Sequence, residues 1–203
     1  MQDSIIILDG SRMAHIDSTL HALEEIESLR QVPQKIWKSW DMEFINSFIG
    51  PAYNSSRDQV DIFELGSRLS LNSWLHRENQ DSLKILITDQ DLYDSRNKNL
   101  NFGFGVNLPF ESGSNYVIVS TARLGDETHL RHLLAHELGH AFGAPNPSRP
   151  GVYNSLGAHC PDRNCTMHQE LSGTSSYQQA LRVSAQGSIY CSDCAGDIQR
   201  YGK

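Results

Sequence analysis

The sequence contains neither a long hydrophobic run nor a surplus of positive charge. Its 203 residues include 17 lysines and arginines against 24 aspartates and glutamates, which gives a formal net charge of -7. This charge argues against non-specific nucleic-acid binding, and no apolar run approaches the roughly 20 residues of a membrane span. The short apolar run Ile5–Leu8 has no basic segment before it, so it indicates a first strand instead of a signal peptide. We therefore expect a soluble, cytoplasmic protein with no nucleic-acid and no membrane partner.

Cysteine is scarce, and all of it lies in the last quarter of the chain. Cys160 and Cys165 form a C-x-x-x-x-C pair, and Cys191 and Cys194 form a C-x-x-C pair. In a chain without a secretion signal, this arrangement favours a tetrahedral thiolate zinc site over disulfides. A thiol redox site at the second pair and disulfides remain alternatives. A thioredoxin-like motif, however, would follow a strand in a βαβ unit, and the pair at Cys191 and Cys194 does not. The redox alternative is therefore less favoured than zinc.

The clearest chemical signal lies at His136, Glu137 and His140, which form H-E-x-x-H. On a helix, two histidines four residues apart point to the same face. A zinc ion fits between their imidazoles, and Glu137 can take a proton from the water that the metal activates. The motif alone occurs by chance in helices, but here histidine and cysteine residues follow it. It therefore predicts a hydrolytic metal site.

The segment around this motif has the pattern of an amphipathic helix. Apolar residues recur at helical spacing from Leu130 to Phe142. Asp126 or Thr128 can cap the start of the helix, and Gly143 can end it in a left-handed conformation. The two histidines are therefore expected on a helix, as the metal site requires.

The wider pattern resembles a known family. Gly143 completes H-E-x-x-H-x-x-G, residues 159–167 read H-C-x-x-x-x-C-x-M, and residues 191–194 read C-x-x-C. Together these resemble the archaemetzincins, a metzincin-clan family of zinc metallopeptidases. Upstream, KILITDQDLYD (84–94), LNFGFG (100–105) and YVIVSTARL (116–124) resemble the segments that precede the zinc helix in that family. The likeness covers about half of the chain, and residues 144–158 stand where the family has two residues.

The resemblance implies a role for each motif residue. His136, His140 and His159 would bind a catalytic zinc, and Glu137 would be the general base. Met167 would be the Met-turn residue beneath the metal. A second, structural zinc would be held by Cys160, Cys165, Cys191 and Cys194. The alternatives to His159 as the third ligand are His168 and a water or carboxylate. The expected cofactors are therefore two Zn²⁺ ions.

We expect a single domain over residues 1–203, with an upper part of about 1–143 and a C-terminal part of about 144–203. Its predicted class is α/β and metzincin-like: a twisted, mixed, mostly parallel sheet with an antiparallel edge strand, an active-site helix, and a small irregular zinc-bound C-terminal part. Besides Ile5–Leu8, strands are predicted at 84–88, 100–106 and 116–120. Helices are predicted at 17–31, 56–77 and 175–186. The segment 35–49 fits either a helix or a strand, and a short strand is favoured because the family's sheet needs one there.

These features together predict a peptidase that acts on peptides or proteins, expected to be a monomer. A substrate would add a strand to the edge strand at 100–106. The residues predicted to bind it are Asn101, Phe102, Gly103 and Phe104. The alternative is a non-catalytic binding protein that zinc stabilises. Glu137 weighs against this alternative, because an acidic residue beside two ligands has no evident use in a purely structural site.

Overall fold

The structure is a computed structural model that describes residues 4–10, 16–30, 35–39, 42–72, 75, 82–97, 102–109, 115–153, 157–170 and 172–201. The chain falls into two compact units. One consists of Met1–Ile16 and Gln34–Arg123, and the other of Asp17–Pro33 and Leu124–Lys203. The prediction of a single domain, with its division near residue 143, stays a prediction.

Strands and helices alternate through the first half of the chain, and helices dominate the second half. In chain order the elements are β1 (Ser4–Asp9), α1 (Ile16–Arg30), β2 (Lys35–Ser39), α2 (Met42–Ala52), β3 (Tyr53–Asn54), β4 (Gln59–Asp61), α3 (Ile62–Leu71), β5 (Leu83–Thr88), β6 (Leu92–Tyr93), β7 (Gly105–Pro109), β8 (Asn115–Ser120), α4 (Glu127–Ala141), α5 (Gly173–Ser184) and α6 (Ser192–Arg200). None of the helices in this described part of the chain is long and apolar enough to cross a membrane.

A five-stranded sheet forms the framework of the first unit. Its strand order is β2-β1-β5-β8-β7. All neighbouring pairs are parallel except β7 and β8, which run antiparallel. Strands β5 and β8 are buried along their whole length, as central parallel strands are when both faces are covered. The predicted α/β class, with a mostly parallel sheet and an antiparallel edge strand, is confirmed.

Apolar side chains from this sheet and from α2 and α3 form the core of the first unit. The core includes Ile6, Leu8, Ile45, Phe48, Leu65, Leu69, Leu86, Tyr116 and Ile118. Each fully buried leucine or isoleucine contributes about 1.5 to 3 kcal/mol relative to an exposed one. The Tyr116 hydroxyl donates to the Leu69 carbonyl oxygen at 3.2 Å, so its polar end is also satisfied.

The edge strand begins later than the sequence predicts. It covers β7 instead of residues 100–106. Asn101 lies outside the described residues, while Phe102 and Phe104 are outside regular strand. The reason is a competing contact, because the Gly103 amide donates to the Leu92 carbonyl oxygen of β6 at 2.7 Å. The chain thus bridges β6 before it joins β8. The substrate-binding role of Asn101, Phe102, Gly103 and Phe104 stays a prediction.

Two other predicted elements differ in extent from those observed. Segment 35–49 contains both a strand, β2, and the start of a helix, α2, so the favoured strand is right only for its first part. The helical spacing of Phe44 and Phe48 is real, and their rings pack edge to face at 5.0 Å. Helix α3 begins at Ile62 instead of residue 56, because β3 and β4 form an antiparallel pair first. The Asp61 side chain then caps α3.

Helix α4 is the central element of the second unit, and its ends follow the prediction. Asp126 is the N-cap, and its carboxylate accepts from the His129 amide at 3.0 Å. After the helix, Gly143 has φ +79°, a left-handed conformation that glycine adopts without steric cost. The Tyr201 ring lies so close that a Cβ at Gly143 would be 2.5 Å from its Cδ2. Glycine is therefore required at this position for two independent reasons.

Gly143→Ala should lower the free energy of unfolding by about 2 to 4 kcal/mol. The left-handed conformation costs alanine about 1 to 2 kcal/mol, and the overlap with Tyr201 adds to it. Gly187→Ala is the matched control, because Gly187 has φ +72° and a Cβ added there would have no atom within 4 Å. That control should lose only about 1 to 2 kcal/mol. Urea denaturation compares the two variants, and equal losses would contradict the close approach of Tyr201.

Candidate metal centres

Three histidine side chains converge in the second unit. His136 and His140 lie one turn apart on α4, and His159 reaches them from the segment after the 144–158 insertion. One ligand nitrogen from each ring lies within 4.8 Å of those from the other two, and the Nε2 atoms of His136 and His140 are 3.2 Å apart. Two nitrogens bound to a tetrahedral zinc at its usual bond length lie about 3.3 to 3.4 Å apart. The observed spacing therefore fits a zinc ion.

Backbone carbonyl groups orient these rings. His136 Nδ1 donates to the Thr166 carbonyl oxygen at 2.7 Å, and His159 Nδ1 donates to the Gly157 carbonyl oxygen at 3.1 Å. A proton on Nδ1 leaves Nε2 of a neutral imidazole as a lone-pair donor. Metal-binding histidines commonly use the second ring nitrogen in this way. The Nε2 atoms of His136 and His159 are therefore in the form that binds a cation.

The histidines are uncharged at neutral pH. Burial lowers the pKa of His136 and of His159 to about 4. Burial also holds the pKa of His140 well below its usual value, and the neighbouring His136 and His159 lower it further. Neutral imidazole is the form that binds metal ions. The environment therefore keeps all three side chains ready to act as ligands.

His168, the alternative third ligand, is not part of this group. Its Nδ1 donates to the Cys160 carbonyl oxygen at 2.8 Å. His159 is held at the site by its own backbone, which exchanges hydrogen bonds with Tyr153 at 2.7 and 2.9 Å. This bridge closes the last part of the insertion directly before His159. The geometry therefore favours His159 over His168, while its role as a ligand stays a prediction.

Glu137 and Met167 lie on or against the same helix. Glu137 comes directly after His136 on α4 and is buried. Met167 is fully buried, and a Cβ at Gly139 would overlap its Sδ atom. The thioether therefore packs against the helix backbone between the two histidine positions, and its role as the Met-turn residue stays a prediction. Sequence reasoning missed Gly139, because a glycine inside a helix does not by itself indicate which side chain lies against it.

The four cysteine sulfurs form a second group. Their Sγ atoms all lie within 4.8 Å of one another, and those of Cys160 and Cys191 are 3.7 Å apart. All four are free thiols. Sulfurs around a tetrahedral zinc lie about 3.8 Å apart, whereas disulfide sulfurs are bonded at about 2.05 Å. The spacing therefore fits a zinc site and not a pair of disulfides.

Packing four thiols this closely makes their ionisation depend on a cation. Hydrogen bonds from Cys160 and the other thiols lower the pKa of Cys191. The hydrogen bonds with Cys160 raise the pKa of Cys165 and of Cys194. Because like charges at this distance repel, the four sulfurs cannot all be thiolates without a positive ion among them. A divalent metal satisfies that condition.

One short segment serves both groups of ligands. Cys165 contributes a sulfur to the cysteine group, Thr166 provides the carbonyl oxygen that orients His136, and Met167 packs beneath α4. Thr166 is itself fixed, because its amide donates to the Ile189 carbonyl oxygen at 2.8 Å. Sequence reasoning missed Thr166, since a backbone carbonyl leaves no signature in the residue type.

Gly139→Ala should lower the free energy of unfolding by about 1 to 3 kcal/mol, because the added methyl group overlaps a fully buried side chain. Gly196→Ala is the matched control on α6, where the nearest atom to the added Cβ is Nη1 of Arg200 at 3.1 Å. This exposed arginine can move, so the control should be unchanged or gain up to about 1 kcal/mol from better helix propensity. Thermal and urea unfolding compare the two, and similar shifts would contradict the close packing of Met167.

Two archaeal proteins are similar to this chain in sequence. No family model matches it. It is 32% identical over 151 residues to the archaemetzincin of Nanoarchaeum equitans (strain Kin4-M), an alignment that covers 74% of this chain and 69% of that protein. It is 35% identical over 120 residues to the archaemetzincin of Methanopyrus kandleri, covering 56% of this chain and 54% of that protein.

A solved structure shares the fold. The crystal structure of a zinc-dependent peptidase from Methanocorpusculum labreanum (strain Z) matches with a TM-score of 0.60 and 19% sequence identity, covering 96% of this chain and 99% of that one. The histidine and cysteine groups, the sheet and the first of these sequence similarities all agree. The chain therefore belongs to the archaemetzincin family.

Proposed function

We propose that this chain is a zinc metallopeptidase with two zinc ions. The catalytic zinc is held by His136, His140 and His159. A structural zinc is held by Cys160, Cys165, Cys191 and Cys194. The observation that carries the proposal is the convergence of three neutral imidazoles, two of them with Nε2 atoms 3.2 Å apart. Family membership supports it, as does the structural neighbour, which is described as a zinc-dependent peptidase.

Several residues of the chain have separate roles in the proposed peptide hydrolysis. When bound, zinc supplies the Lewis acidity that activates a water molecule and polarises the peptide carbonyl. Glu137 accepts the proton of the attacking water and later delivers it to the leaving amine. The carbonyl oxygens of Thr166 and Gly157 keep His136 and His159 in the orientation and tautomer that metal binding needs. Met167 supports α4 from below, so the histidine pair cannot shift toward the interior.

The substrate is a peptide or protein in an extended conformation. Among the described strands, β7 is the last of its sheet, and an edge strand is where a further strand can be added. An added strand gains backbone hydrogen bonds whatever its sequence, while side-chain pockets give specificity.

We also propose that the protein is a monomer and that the chain forms one metallopeptidase domain.

Glu137→Gln tests the catalytic role. The variant should keep its zinc content and its melting temperature, while kcat for peptide cleavage falls by roughly 10²- to 10⁴-fold, which is the usual contribution of a general base. Glu170→Gln is the control, because Glu170 contacts Arg182 at 3.7 Å and has no proposed part in catalysis. It should cleave like the wild type.

Two results would contradict this assignment. Unchanged turnover in zinc-replete Glu137→Gln protein would exclude Glu137 as the base. A zinc-loaded wild type that cleaves nothing in a peptide library would favour the alternative of a zinc-stabilised binding protein.

Metal analysis of purified variants tests the two zinc sites separately. The wild type should contain two zincs per chain, and His159→Ala and Cys191→Ser should each contain one. Only Cys191→Ser should also lose much of its stability, because a structural zinc contributes directly to folding. His168→Ala is the control and should keep both. A single zinc in the wild type, or loss of zinc from His168→Ala, would contradict the ligand assignment.

A further inference from the structure

The 144–158 insertion is the part of the metal-binding region for which the family pattern supplies no role. It carries Arg149, whose side chain is only 17% exposed. One edge of its guanidinium faces α6, where Nη1 donates to Asp197 Oδ2 at 2.7 Å. The other nitrogen, Nη2, lies 3.3 Å from Cys194 Sγ and 3.9 Å from Cys160 Sγ. A single cation from the insertion therefore contacts the cysteine group directly.

Asp197 fixes the insertion in this position. Its side chain is only 3% exposed. Besides Arg149, its Oδ2 atom accepts from the Asn146 amide at 2.9 Å, and its Oδ1 atom accepts from Arg200 Nη2 at 2.8 Å. Asp197 lies on α6, the helix that also carries Cys194. The carboxylate and the sulfur that Arg149 contacts are therefore held on one rigid element.

The chemistry of the cysteine group explains why a cation is useful there. Four thiolates around one divalent zinc carry an excess of negative charge, and burying such charge is costly unless an opposite charge offsets it. Arginine suits this position, because its planar group offers several fixed N–H donors and stays charged. Donor groups next to metal ligands commonly change metal affinity without touching the metal.

We propose that Arg149 is a positioning residue that caps the four-cysteine zinc centre. It donates hydrogen bonds to the Cys194 and Cys160 sulfurs, offsets their charge and slows the loss of the metal. The insertion is the element that delivers this cap. The inference rests on the proposed structural zinc, and it assigns a purpose to residues 144–158.

A substitution at Arg200 distinguishes the effect of the sulfur contacts from the effect of an ion pair with Asp197. Both arginines bind Asp197, but of the two only Arg149 donates to sulfur in the described part of the chain. Arg200→Met removes an Asp197 partner and leaves the sulfur contacts in place. Arg149→Met removes both. A difference between the two variants therefore measures what the sulfur contacts contribute.

The experiment measures zinc release from the zinc-loaded full chain. Protein is mixed with excess chelator, and released zinc is followed with a metal-sensitive dye. In Arg149→Met, one of the two zincs should leave about 10- to 100-fold faster, the usual size of an effect from a residue next to metal ligands. Arg149→Lys should show a smaller increase, because lysine keeps the charge but not the planar fork. Arg200→Met should stay within about twofold of the wild type.

The outcomes are distinguishable from those that test the function. A wild type that holds no zinc on its cysteines would refute the structural zinc itself. Two zincs in the wild type, with unchanged release from Arg149→Met, would overturn only the role of Arg149. Release from Arg200→Met as fast as from Arg149→Met would overturn it too, because the ion pair alone would account for the effect. If Arg149→Met does not fold, Arg149→Lys decides, and an unchanged rate in that variant refutes the proposal.

Discussion

The hydrogen bond from His136 Nδ1 to the Thr166 carbonyl oxygen is the contact on which the arrangement of the second unit depends. It fixes one imidazole of α4 to a segment whose neighbours are Cys165 and Met167. The histidine group and the cysteine group therefore share one stretch of backbone, and neither can be moved alone. Thr166 is held from the other side by the hydrogen bond from its amide to the Ile189 carbonyl oxygen and by its hydroxyl, which lies 2.8 Å from His132 Nδ1.

Close packing gives α4 the rigidity that this contact requires. The Tyr190 hydroxyl donates to the Ala135 carbonyl oxygen at 2.6 Å, and its ring lies beside Gly139 together with Met167. The inner side of the helix is thus in contact with two large side chains in a space that admits no further methyl group. Interiors this dense transmit displacements without absorbing them. The two histidines of α4 therefore lie on a closely packed helix.

The features that the sequence could predict are those set by local rules. The spacing of His136 and His140 follows from the helical period alone, and residue type makes Cys191 and Cys194 candidates for soft metal ligands. The helix ends were also predictable, because capping at Asp126 and the left-handed Gly143 depend only on nearby backbone. These features need no knowledge of the tertiary structure.

Other features depend on contacts between distant parts of the chain, so the pattern of residues could not reveal them. The edge strand starts at Gly105 because Gly103 pairs first with Leu92. The alternation of residue types is the same whether the strand begins at residue 100 or at residue 105, so it could not reveal the later start. The carbonyl oxygen of Thr166 acts through the backbone, which is common to all residues. In the sequence, Arg149 is an ordinary arginine in a proline-rich loop. Only the tertiary structure shows that it lies beside Asp197.

The backbone bridge between Tyr153 and His159 has a consequence for how this family can change. A loop that is closed at its base can vary in length above that base without shifting the residues that come after it. The closing pair includes Tyr153, which lies within the insertion, so the stretch between Tyr153 and His159 is the part that can change in length while His159 keeps its place. Diversity of loop length at this point is thus a route by which related proteins can acquire new surface next to an unaltered reaction centre.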